Sequence, residues 1–501
     1  KQKTAYEIPK RDWSSDVCSS DLDHDRLETG LKKAASFWAP AAWVDGAWQT
    51  QVWLRCDDQG RWSQVRAGVP MPSAAPSATL SPCEPLHVLP GPVLPGMVNA
   101  HSHAFQRSFA GLTERRQSAQ DDFWSWRDRM YQTALRISAQ QLTAVAQQLY
   151  AEMLAGGYTH VCEFHYLHHQ PNGQPYAPHT RMAQALAQAA EQTGMGLTLL
   201  PVLYERSGFG QTTLRDDQRR FATGPEEVAA MRQEIRAWGL PQVDAGVAIH
   251  SLRAASEASI HRLCELSAND PGPIHIHVAE QTAEVEDCLA ATGCRPVEWL
   301  TRHVPLNARW HLVHATHTRP DEVLGVSSSG AGVVMCPTTE ANLGDGLADV
   351  EGWLRQGAPV SIGSDSHVCR HWPQELQLLE YGQRLVQRKR NVTADPEGEQ
   401  PGTATRLFQA AQQGGAAAAA WSHHGLRVGA RADLLVLDTH APGLLGVPEA
   451  AWLDALVFAT DSPAFSQVWV AGQPVVKEGR HQRQAEIALQ FAQVMRELHA
   501  Q

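Results

Sequence analysis

The sequence contains a His-Ser-His motif, and its spacing defines the chemistry that the rest of the chain can support. His101 and His103 end an apolar run that begins at Leu94. In a strand, residues two apart point to one face, so the two imidazoles project together. Such a pair is half of a site for a divalent metal. An isolated motif of this kind more often has a structural explanation, with one buried histidine and one at the surface.

Further candidate metal ligands and acid–base groups occur at the ends of later apolar runs. They are His275, His277 and Glu280 in one run, His314 in the next, and Asp365 in the last. Three histidines and one aspartate can bind zinc and leave a coordination position open for water. Each residue alone has a structural alternative, but a complete set in order along the chain favours a metal-dependent enzyme.

Alternating strands and helices are predicted to carry these residues. Strand-like runs occur at 97–101, 159–166, 197–204, 245–251, 274–279, 308–315, 332–336 and 360–364. Stretches with helical spacing separate them, which is typical of parallel βα units. Eight such units predict an α/β fold, a (β/α)8 TIM-type barrel with catalytic groups at the C-terminal strand ends. An open doubly wound sheet is the alternative, but no strand is followed by a GxGxxG turn.

The chain divides into four predicted segments. Residues 1–22 include a stretch similar to a translated sequencing adapter, and we predict a non-native or disordered leader. Residues 94–424 form the predicted barrel. Residues 23–93 and 425–501 carry short strands, including a predicted hairpin over 425–438, and a terminal helix. We expect these two ends to pack together as one small discontinuous β-sandwich domain.

Composition narrows the classes of partner and compartment. Lys and Arg total 42 against 53 Asp and Glu, a net charge of −11, which argues against nucleic acid and anionic membranes as partners. No apolar run approaches the roughly 20 residues that span a bilayer. The nine cysteines form no CxxC pair and indicate free thiols in a reducing compartment. We therefore predict a cytoplasmic protein without membrane or nucleic-acid partners.

Several motifs together resemble the metal-dependent amidohydrolase superfamily, in its deaminase branch. The Pro-Gly-Met-Val-Asn-Ala-His-Ser-His run, the HxxE motif ending at Glu280, the strand-end His314 and the Ser-Asp pair at Asp365 follow the order of that superfamily across the barrel. Residues 101–107, 277–281 and 375–384 further resemble the formimidoylglutamate deiminase family. That family consists of hydrolases of histidine degradation that act on a C–N bond in a linear amidine.

The resemblance implies a metal centre and a proton-transfer scheme. It places one Zn²⁺ per subunit on His101, His103, His277 and Asp365. His275 is the rival of His277, which we prefer because the family's catalytic glutamate follows three residues later, at Glu280. No equivalent of a metal-bridging lysine is evident, which favours a single metal. The resemblance implies that Asp365 and His314 accept the proton of the metal-activated water, while Glu280 protonates the leaving nitrogen. The alternative for Glu280 is a helix N-terminal carboxylate.

The resemblance also implies a dicarboxylate substrate. It assigns substrate binding to Gln106, Arg127, Tyr166, His250 and Arg253. Arginine is the best side-chain match for a carboxylate, although a surface ion pair or stacking on tryptophan would also explain Arg127, and ordinary packing Tyr166. The expected reaction converts N-formimino-L-glutamate into N-formyl-L-glutamate and ammonia. Alternatives are a deaminase or chlorohydrolase acting on a nucleobase or related heterocycle, and a catalytically silent metal-binding barrel. Superfamily precedent further implies a homodimer.

Overall fold

A computed structural model of the protein describes residues 34–72, 85–116, 123–398 and 401–500. The predicted leader over 1–22 lies outside the described residues. None of the described helices is long and apolar enough to cross a lipid bilayer. The domain boundaries expected from the sequence stay predictions; one strand, Val93–Pro95, crosses the predicted junction at 93–94, and the described residues 424 and 425 belong to no strand.

The described residues form strands throughout the chain, which we number in chain order. They are β1 (Ala35–Val44), β2 (Ala47–Cys56), β3 (Trp62–Arg66), β4 (Leu86–Val88), β5 (Val93–Pro95), β6 (Met97–Ser102), β7 (Tyr158–His165), β8 (Gly196–Leu203), β9 (Val243–Ala245), β10 (Val247–Ile249), β11 (Ile274–Val278), β12 (Trp310–His314), β13 (Gly332–Met335), β14 (Val360–Ile362), β15 (Leu434–Leu437), β16 (Phe465–Val470), β17 (Gln473–Lys477) and β18 (Arg480–His481).

Helices connect the central strands and end the chain. They are α1 (Phe123–Ala134), α2 (Ala139–Ala155), α3 (Arg181–Thr193), α4 (Pro225–Ala237), α5 (Glu257–Leu266), α6 (Thr282–Thr292), α7 (Pro296–His303), α8 (Pro320–Ser329), α9 (Pro337–Leu343), α10 (Val350–Arg355), α11 (Trp372–Gln387), α12 (Thr403–Ala418), α13 (Trp452–Phe458) and α14 (Gln484–His499). Short 3-10 turns occupy Ala104–Ser108, Asp216–Gln218 and Glu449–Ala451.

The central strands form the predicted parallel barrel. Their order is β6, β7, β8, β10, β11, β12, β13 and β14, with β9 paired to β8. The barrel nearly closes between its first and last strands, where Ser102 and Asp365 form a parallel bridge. There the Asp365 N–H donates a 3.1 Å hydrogen bond to the carbonyl of His101. Closure therefore brings the His-Ser-His motif against the loop that carries Asp365.

Burial explains why these strands are apolar almost throughout. Every residue of β7 and β8 is buried, because helices cover the outer face of a parallel sheet while side chains fill the barrel interior. Helix α2 illustrates the outer layer. Its N-terminus has a capping box in which Ser138 accepts from the Gln141 N–H and the Gln141 side chain accepts from the Ser138 N–H. Its apolar side chains are buried among the barrel helices.

Both chain ends contribute to a second sheet, as the sequence predicts. The strand order is β18, β17, β16, β15, β5, β1, β2 and β3, with β4 beside β1. Phe37 packs edge-on against Trp62 and Trp469, at 5.7 and 5.0 Å between ring centroids, and so joins the N-terminal and C-terminal segments in one core. This sheet is separate from the barrel sheet but continuous with it in the chain at residues 95–97.

The predicted hairpin over 425–438 is wrong. Only Leu434–Leu437 forms a strand there, and it pairs with β5 and β16 rather than with the preceding residues. Gly425 and Gly429 have φ values of +79° and +86°, so the preceding segment runs through turns. Its backbone groups pair with β3: the Gly429 N–H donates to the Trp62 carbonyl at 2.8 Å, and the Trp62 N–H donates to the Ala430 carbonyl at 2.9 Å.

Candidate metal centre and active site

Three imidazoles converge at the C-terminal end of the barrel. Nε2 of His101 lies 3.1 Å from Nε2 of His103 and 3.0 Å from Nε2 of His277. The first two rings come from the end of β6 and the third from β11, as the strand-end pattern predicts. All three side chains are buried. His277, the histidine of β11 that we prefer as a ligand, therefore points into the cluster.

Hydrogen bonds to carbonyl oxygens fix the tautomers of two of these rings. Nδ1 of His103 lies 2.9 Å from the Phe164 carbonyl, and Nδ1 of His277 lies 3.0 Å from the His250 carbonyl. A carbonyl only accepts, so both Nδ1 atoms carry protons. Burial lowers the pKa of both rings, which keeps them neutral. Their Nε2 atoms consequently present lone pairs toward His101.

This arrangement of nitrogens fits a cation. A single proton on Nε2 of His101 can satisfy only one of the two facing lone pairs, and Nδ1 of His101 is buried with no hydrogen-bond partner among the described residues. Asp365 adds a carboxylate, with Oδ1 at 3.4 Å from Nε2 of His101 and 3.3 Å from Nε2 of His103. The donor set of imidazole nitrogens and one carboxylate is the set that zinc prefers. A cation among these four groups would satisfy all of them.

The backbone at Asp365 is shaped by a close approach of two strand ends. Asp365 has a φ of +42°, a left-handed conformation that non-glycine residues rarely adopt outside functional sites. Two residues earlier, a Cβ on Gly363 would lie only 2.6 Å from the Cβ of His101. Glycine at this position therefore allows the last strand to approach the first, so that the carboxylate reaches the imidazole cluster.

His314, which the resemblance assigns to proton transfer, lies beside the cluster. Nε2 of His314 is 3.7 Å from Oε1 of Glu280 and 4.0 Å from Oδ2 of Asp365. On the opposite side of the ring, Nδ1 lies 3.4 Å from Oε1 of Glu340. His314 thus lies between two carboxylates that face the cavity and one that lies behind it. These residues are buried, so their charges interact strongly.

The charges of the site shift the pKa values in opposite directions. Burial raises the pKa of Glu280 to about 7. Burial alone would lower the pKa of His314, but Glu280, Glu340 and Asp365 raise it to about 10. Burial alone would raise the pKa of Asp365, but its contact with His101 and the neighbouring imidazoles lower it below its usual value. A carboxyl group with a pKa near 7 beside a carboxylate that stays ionised is the pattern expected for an acid–base pair.

His275, the rival ligand, points away from the cluster. Its Nε2 lies 2.9 Å from the carbonyl of Ala418, at the C-terminus of α12, and its ring stacks near His311 at 5.0 Å between centroids. Two residues farther along β11, His277 is displaced toward the C-terminal end of the strand. The two histidines therefore occupy different levels of the barrel interior.

All five predicted substrate-binding residues lie around one cavity beside the imidazole cluster. Gln106, Arg127, Tyr166, His250 and Arg253 line it together with His103, His277, Glu280, His314 and Asp365. Nε2 of Gln106 lies 3.2 Å from the hydroxyl of Tyr166, and both side chains are buried. Two arginines and two hydrogen-bonding side chains thus line the same cavity as the imidazole cluster, so one small molecule could contact all of them.

The two arginines belong to different elements. Arg127 comes from α1 and lies over the ring of Tyr131, with 5.5 Å from its guanidinium carbon to the ring centroid. Arg253 follows β10 and is only 9% exposed. Burial alone would lower its pKa, but the charge of Glu284 helps to raise it above the usual value. Arg253 therefore stays cationic and can face an anionic group in the cavity.

The sequence patterns do not identify several residues of the site. Tyr131 and Met130 line the cavity, and the Met130 sulfur lies 3.4 Å from both Nε2 of Gln106 and the Tyr166 hydroxyl. Glu284 accepts the N–H groups of Ala279 and Glu280, each at 3.1 Å. No strand-end signal marks them, since they lie on helices. For Glu284, its place in the first turn after HxxE was the available signal.

Comparisons with known proteins agree with this architecture. Residues 93–475 match the model of the amidohydrolase family. The chain is 45% identical over 414 residues to formimidoylglutamate deiminase from Pseudomonas aeruginosa, covering 82% of this chain and 90% of that protein. It is 41% identical to a crystal structure of an amidohydrolase from Brucella melitensis, with a TM-score of 0.85 over 93% of this chain and 99% of the other.

A more distant structure resembles the fold alone. The crystal structure of an adenosine deaminase from Xanthomonas campestris with bound zinc has a TM-score of 0.75 and 21% sequence identity. The alignment covers 93% of this chain and 99% of that one. The barrel with its chain-end sheet is therefore shared with a zinc-containing deaminase.

Replacing each histidine of β11 in turn tests which of the two binds the metal. We expect His277→Asn to lose zinc, because it removes one of the converging nitrogens, and His275→Asn to retain it. Metal analysis after dialysis against a weak chelator measures the difference. Both residues are buried, so both variants should lose some thermal stability, and His275→Asn is a matched control. Equal zinc retention in the two variants would exclude His277 as a ligand.

Proposed function

The chain belongs to the amidohydrolase family, and we propose that it hydrolyses N-formimino-L-glutamate to N-formyl-L-glutamate and ammonia. The observation that carries the proposal is a single cavity that joins a zinc-type ligand set to two arginines. A dianionic, acyclic amidine matches those charges better than a neutral heterocycle does. The 45% identity to a formimidoylglutamate deiminase over most of both chains supports the same substrate.

His101, His103, His277 and Asp365 are the proposed ligands of one zinc ion per subunit. When bound there, zinc would supply a Lewis acid that lowers the pKa of water to about 7 and makes a nucleophile available at neutral pH. The Nδ1 hydrogen bonds of His103 and His277 keep their rings oriented for this role. The same hydrogen bonds make the ligands ready before any cation binds.

Asp365 and His314 are proposed to handle the proton of the attacking water, Asp365 as its acceptor and His314, which a pKa raised to about 10 keeps protonated, as the cation beside that carboxylate. The low pKa of Asp365 keeps its carboxylate ionised, so it can accept a proton at Oδ2. Nε2 of His314, 4.0 Å from that oxygen, orients the carboxylate and balances its charge. Glu340 holds the opposite side of the His314 ring, at 3.4 Å. The arrangement removes a proton from water while its oxygen bonds to the C=N carbon.

Glu280 is the proposed proton donor to the departing nitrogen. Addition of water to the C=N bond gives a tetrahedral carbon that carries oxygen and two nitrogens. Protonation of the terminal nitrogen allows its C–N bond to break, so that ammonia leaves and a formyl C=O forms, while the proton released from the hydroxyl oxygen returns to Glu280. Because burial raises the pKa of Glu280 to about 7, the carboxyl group can hold and release a proton near neutral pH. Glu284 positions it through the backbone N–H groups of Ala279 and Glu280.

Arg127 and Arg253 are the proposed partners of the substrate carboxylates, with Gln106, Tyr166 and His250 completing the wall. His250 packs against Tyr204 at 4.3 Å between ring centroids, which fixes its orientation toward the cavity. Charge-assisted hydrogen bonds to two carboxylates would orient the formimino group toward the metal ligands and Glu280. Recognition and chemistry would then occur at opposite ends of one extended substrate.

The cellular setting of the enzyme stays a prediction. A role in histidine degradation follows from the proposed substrate, and the homodimer follows from superfamily precedent. The described cysteines are all free thiols, which supports a reducing compartment such as the cytoplasm. These expectations concern the environment of the site, whereas the chemistry can be tested with purified protein.

The direct test of the proposal is ammonia release by the zinc-loaded protein. We expect turnover of N-formimino-L-glutamate, because its two carboxylates match two cavity arginines, and much slower turnover of guanine and cytosine, which carry no carboxylate. N-formimino-L-aspartate has the same two carboxylates and measures how strictly the length of the substrate is recognised. A coupled ammonia assay with each compound at equal concentration measures the preference. Faster turnover of either nucleobase would favour the heterocycle deaminase instead, and absence of turnover with all four would contradict the proposal.

Glu280→Gln tests the proposed proton donor. The variant keeps the size of the side chain but cannot transfer a proton, so kcat should fall by about 10²–10⁴-fold, the usual contribution of general acid–base catalysis. Zinc content should stay unchanged, because Glu280 is not a proposed ligand. Glu286→Gln, at an exposed position of the following helix α6, is the control with unaltered kcat. A Glu280→Gln enzyme with full kcat would remove this residue from the mechanism.

Arg253→Ala tests recognition of a substrate carboxylate. A hydrogen bond to a charged group contributes about 1.5–3 kcal/mol, so KM for N-formimino-L-glutamate should rise at least about tenfold. KM for an uncharged formamidine should change little, because that compound offers no carboxylate. Arg262→Ala, at an exposed position of α5, is the control. Equal changes in KM for both compounds would show that Arg253 does not bind the carboxylate.

A further inference from the structure

Glu163 is a buried carboxylate in β7 that no step of the proposed reaction uses. Its residue is only 2% exposed, and Ser102 of β6 lies opposite it in the parallel register. A buried carboxylate is costly unless polar partners satisfy it. The partners of Glu163 therefore indicate which part of the structure it holds.

Both oxygens of Glu163 accept hydrogen bonds from the neighbours of His103. The Ser102 hydroxyl donates to Oε2 at 2.6 Å, and the Ala104 N–H donates to Oε1 at 2.5 Å. His103 is the one residue between these two donors. A single carboxylate thus holds the chain immediately before and immediately after a proposed zinc ligand.

The adjacent residue of the same strand holds the ring itself. The Phe164 carbonyl accepts from Nδ1 of His103 at 2.9 Å, and the Phe164 ring packs at 5.1 Å from His101 and 4.3 Å from His277 between centroids. Phe164 therefore sets the orientation of the ligand rings. Glu163 fixes the backbone from which two of those rings project.

We propose that Glu163 is a positioning residue of the metal centre, which sets zinc affinity by holding residues 101–104 in the conformation that makes the imidazole nitrogens converge. The inference rests on the proposed zinc site and deepens it. Glu163 contacts neither the ligand nitrogens nor the substrate cavity, so it acts through Ser102 and Ala104. Partners that orient metal ligands typically change metal affinity by about 10–100-fold when they are replaced.

Glu380 provides a matched control for the alternative that Glu163 serves stability alone. Glu380 is likewise fully buried, and it accepts hydrogen bonds from the N–H groups of Val392 and Thr393 and from the Thr393 hydroxyl. These partners belong to the segment that follows α11, away from the proposed ligands. Replacing either glutamate removes a buried carboxyl group, but only Glu163 is bonded to the residues that flank His103.

The test compares the zinc affinity of Glu163→Gln and Glu380→Gln by competition with a chromophoric chelator. The glutamine side chain has one acceptor oxygen instead of two, so the Ser102 hydroxyl must give up its bond or turn to accept from the NH2 group. We expect the zinc Kd to rise about 10–100-fold in Glu163→Gln and to stay unchanged in Glu380→Gln, although both variants melt at lower temperature. We also expect the visible absorption spectrum of the cobalt-substituted protein to change only in Glu163→Gln. An unchanged Kd in Glu163→Gln, or equal changes in both variants, would overturn the inference.

Ser102→Ala keeps the inference testable if Glu163→Gln does not fold. This variant removes only the hydroxyl donor to Glu163, and a raised zinc Kd supports the inference, whereas an unchanged Kd overturns it. The wild-type protein separates the two levels of the account. A wild-type chain that binds no zinc would contradict the proposed function itself, whereas zinc binding with unaffected variants would contradict only the role of Glu163.

Discussion

The convergence of three imidazole nitrogens at about the same point is the constraint on which the site depends. The Nε2 atoms of His103 and His277 lie 3.1 and 3.0 Å from Nε2 of His101, and carbonyl oxygens hold protons on the far side of the first two rings. Lone pairs that face one another in a buried region repel unless a cation lies among them. A cation bound there would pair with all three nitrogens at once, and the remaining parts of the fold hold the three rings in place.

Barrel closure brings the fourth proposed ligand, Asp365, to the imidazole cluster. Gly363 allows β14 to approach β6, and the left-handed backbone at Asp365 then directs its carboxylate toward the imidazoles. His314 also has a positive φ, at +70°, at the end of its strand. Such conformations cost about 1–3 kcal/mol each and persist where surrounding contacts impose them. The strand ends thus combine strain with buried charge, and the acid–base groups acquire their shifted pKa values there.

The sequence predicts the fold of this protein more completely than the contacts that position the site. Alternating strands and helices predict the barrel from short-range periodicity. Strand-end positions supply the candidate ligands, and the family resemblance then selects His277 over His275. Glu163, Glu284 and Glu340 could not be identified in this way. The roles of Glu163 and Glu340 arise from contacts with distant segments, such as the bond from Ala104 to Glu163, whereas Glu284 bonds locally to Ala279 and Glu280 and has no strand-end position. The hairpin prediction over 425–438 failed for a related reason: backbone partners of this segment lie in β3, more than 360 residues earlier, as the bond from the Gly429 N–H to the Trp62 carbonyl illustrates.

The most direct test of the account is anomalous diffraction at the zinc absorption edge from crystals of the zinc-loaded protein. The account predicts one zinc peak per chain, about 2.0–2.2 Å from Nε2 of His101, His103 and His277 and from an Asp365 oxygen. It also predicts no zinc at His275 and no second metal in the cavity. A peak bound elsewhere, or a pair of metals bridged within the site, would contradict the central claim.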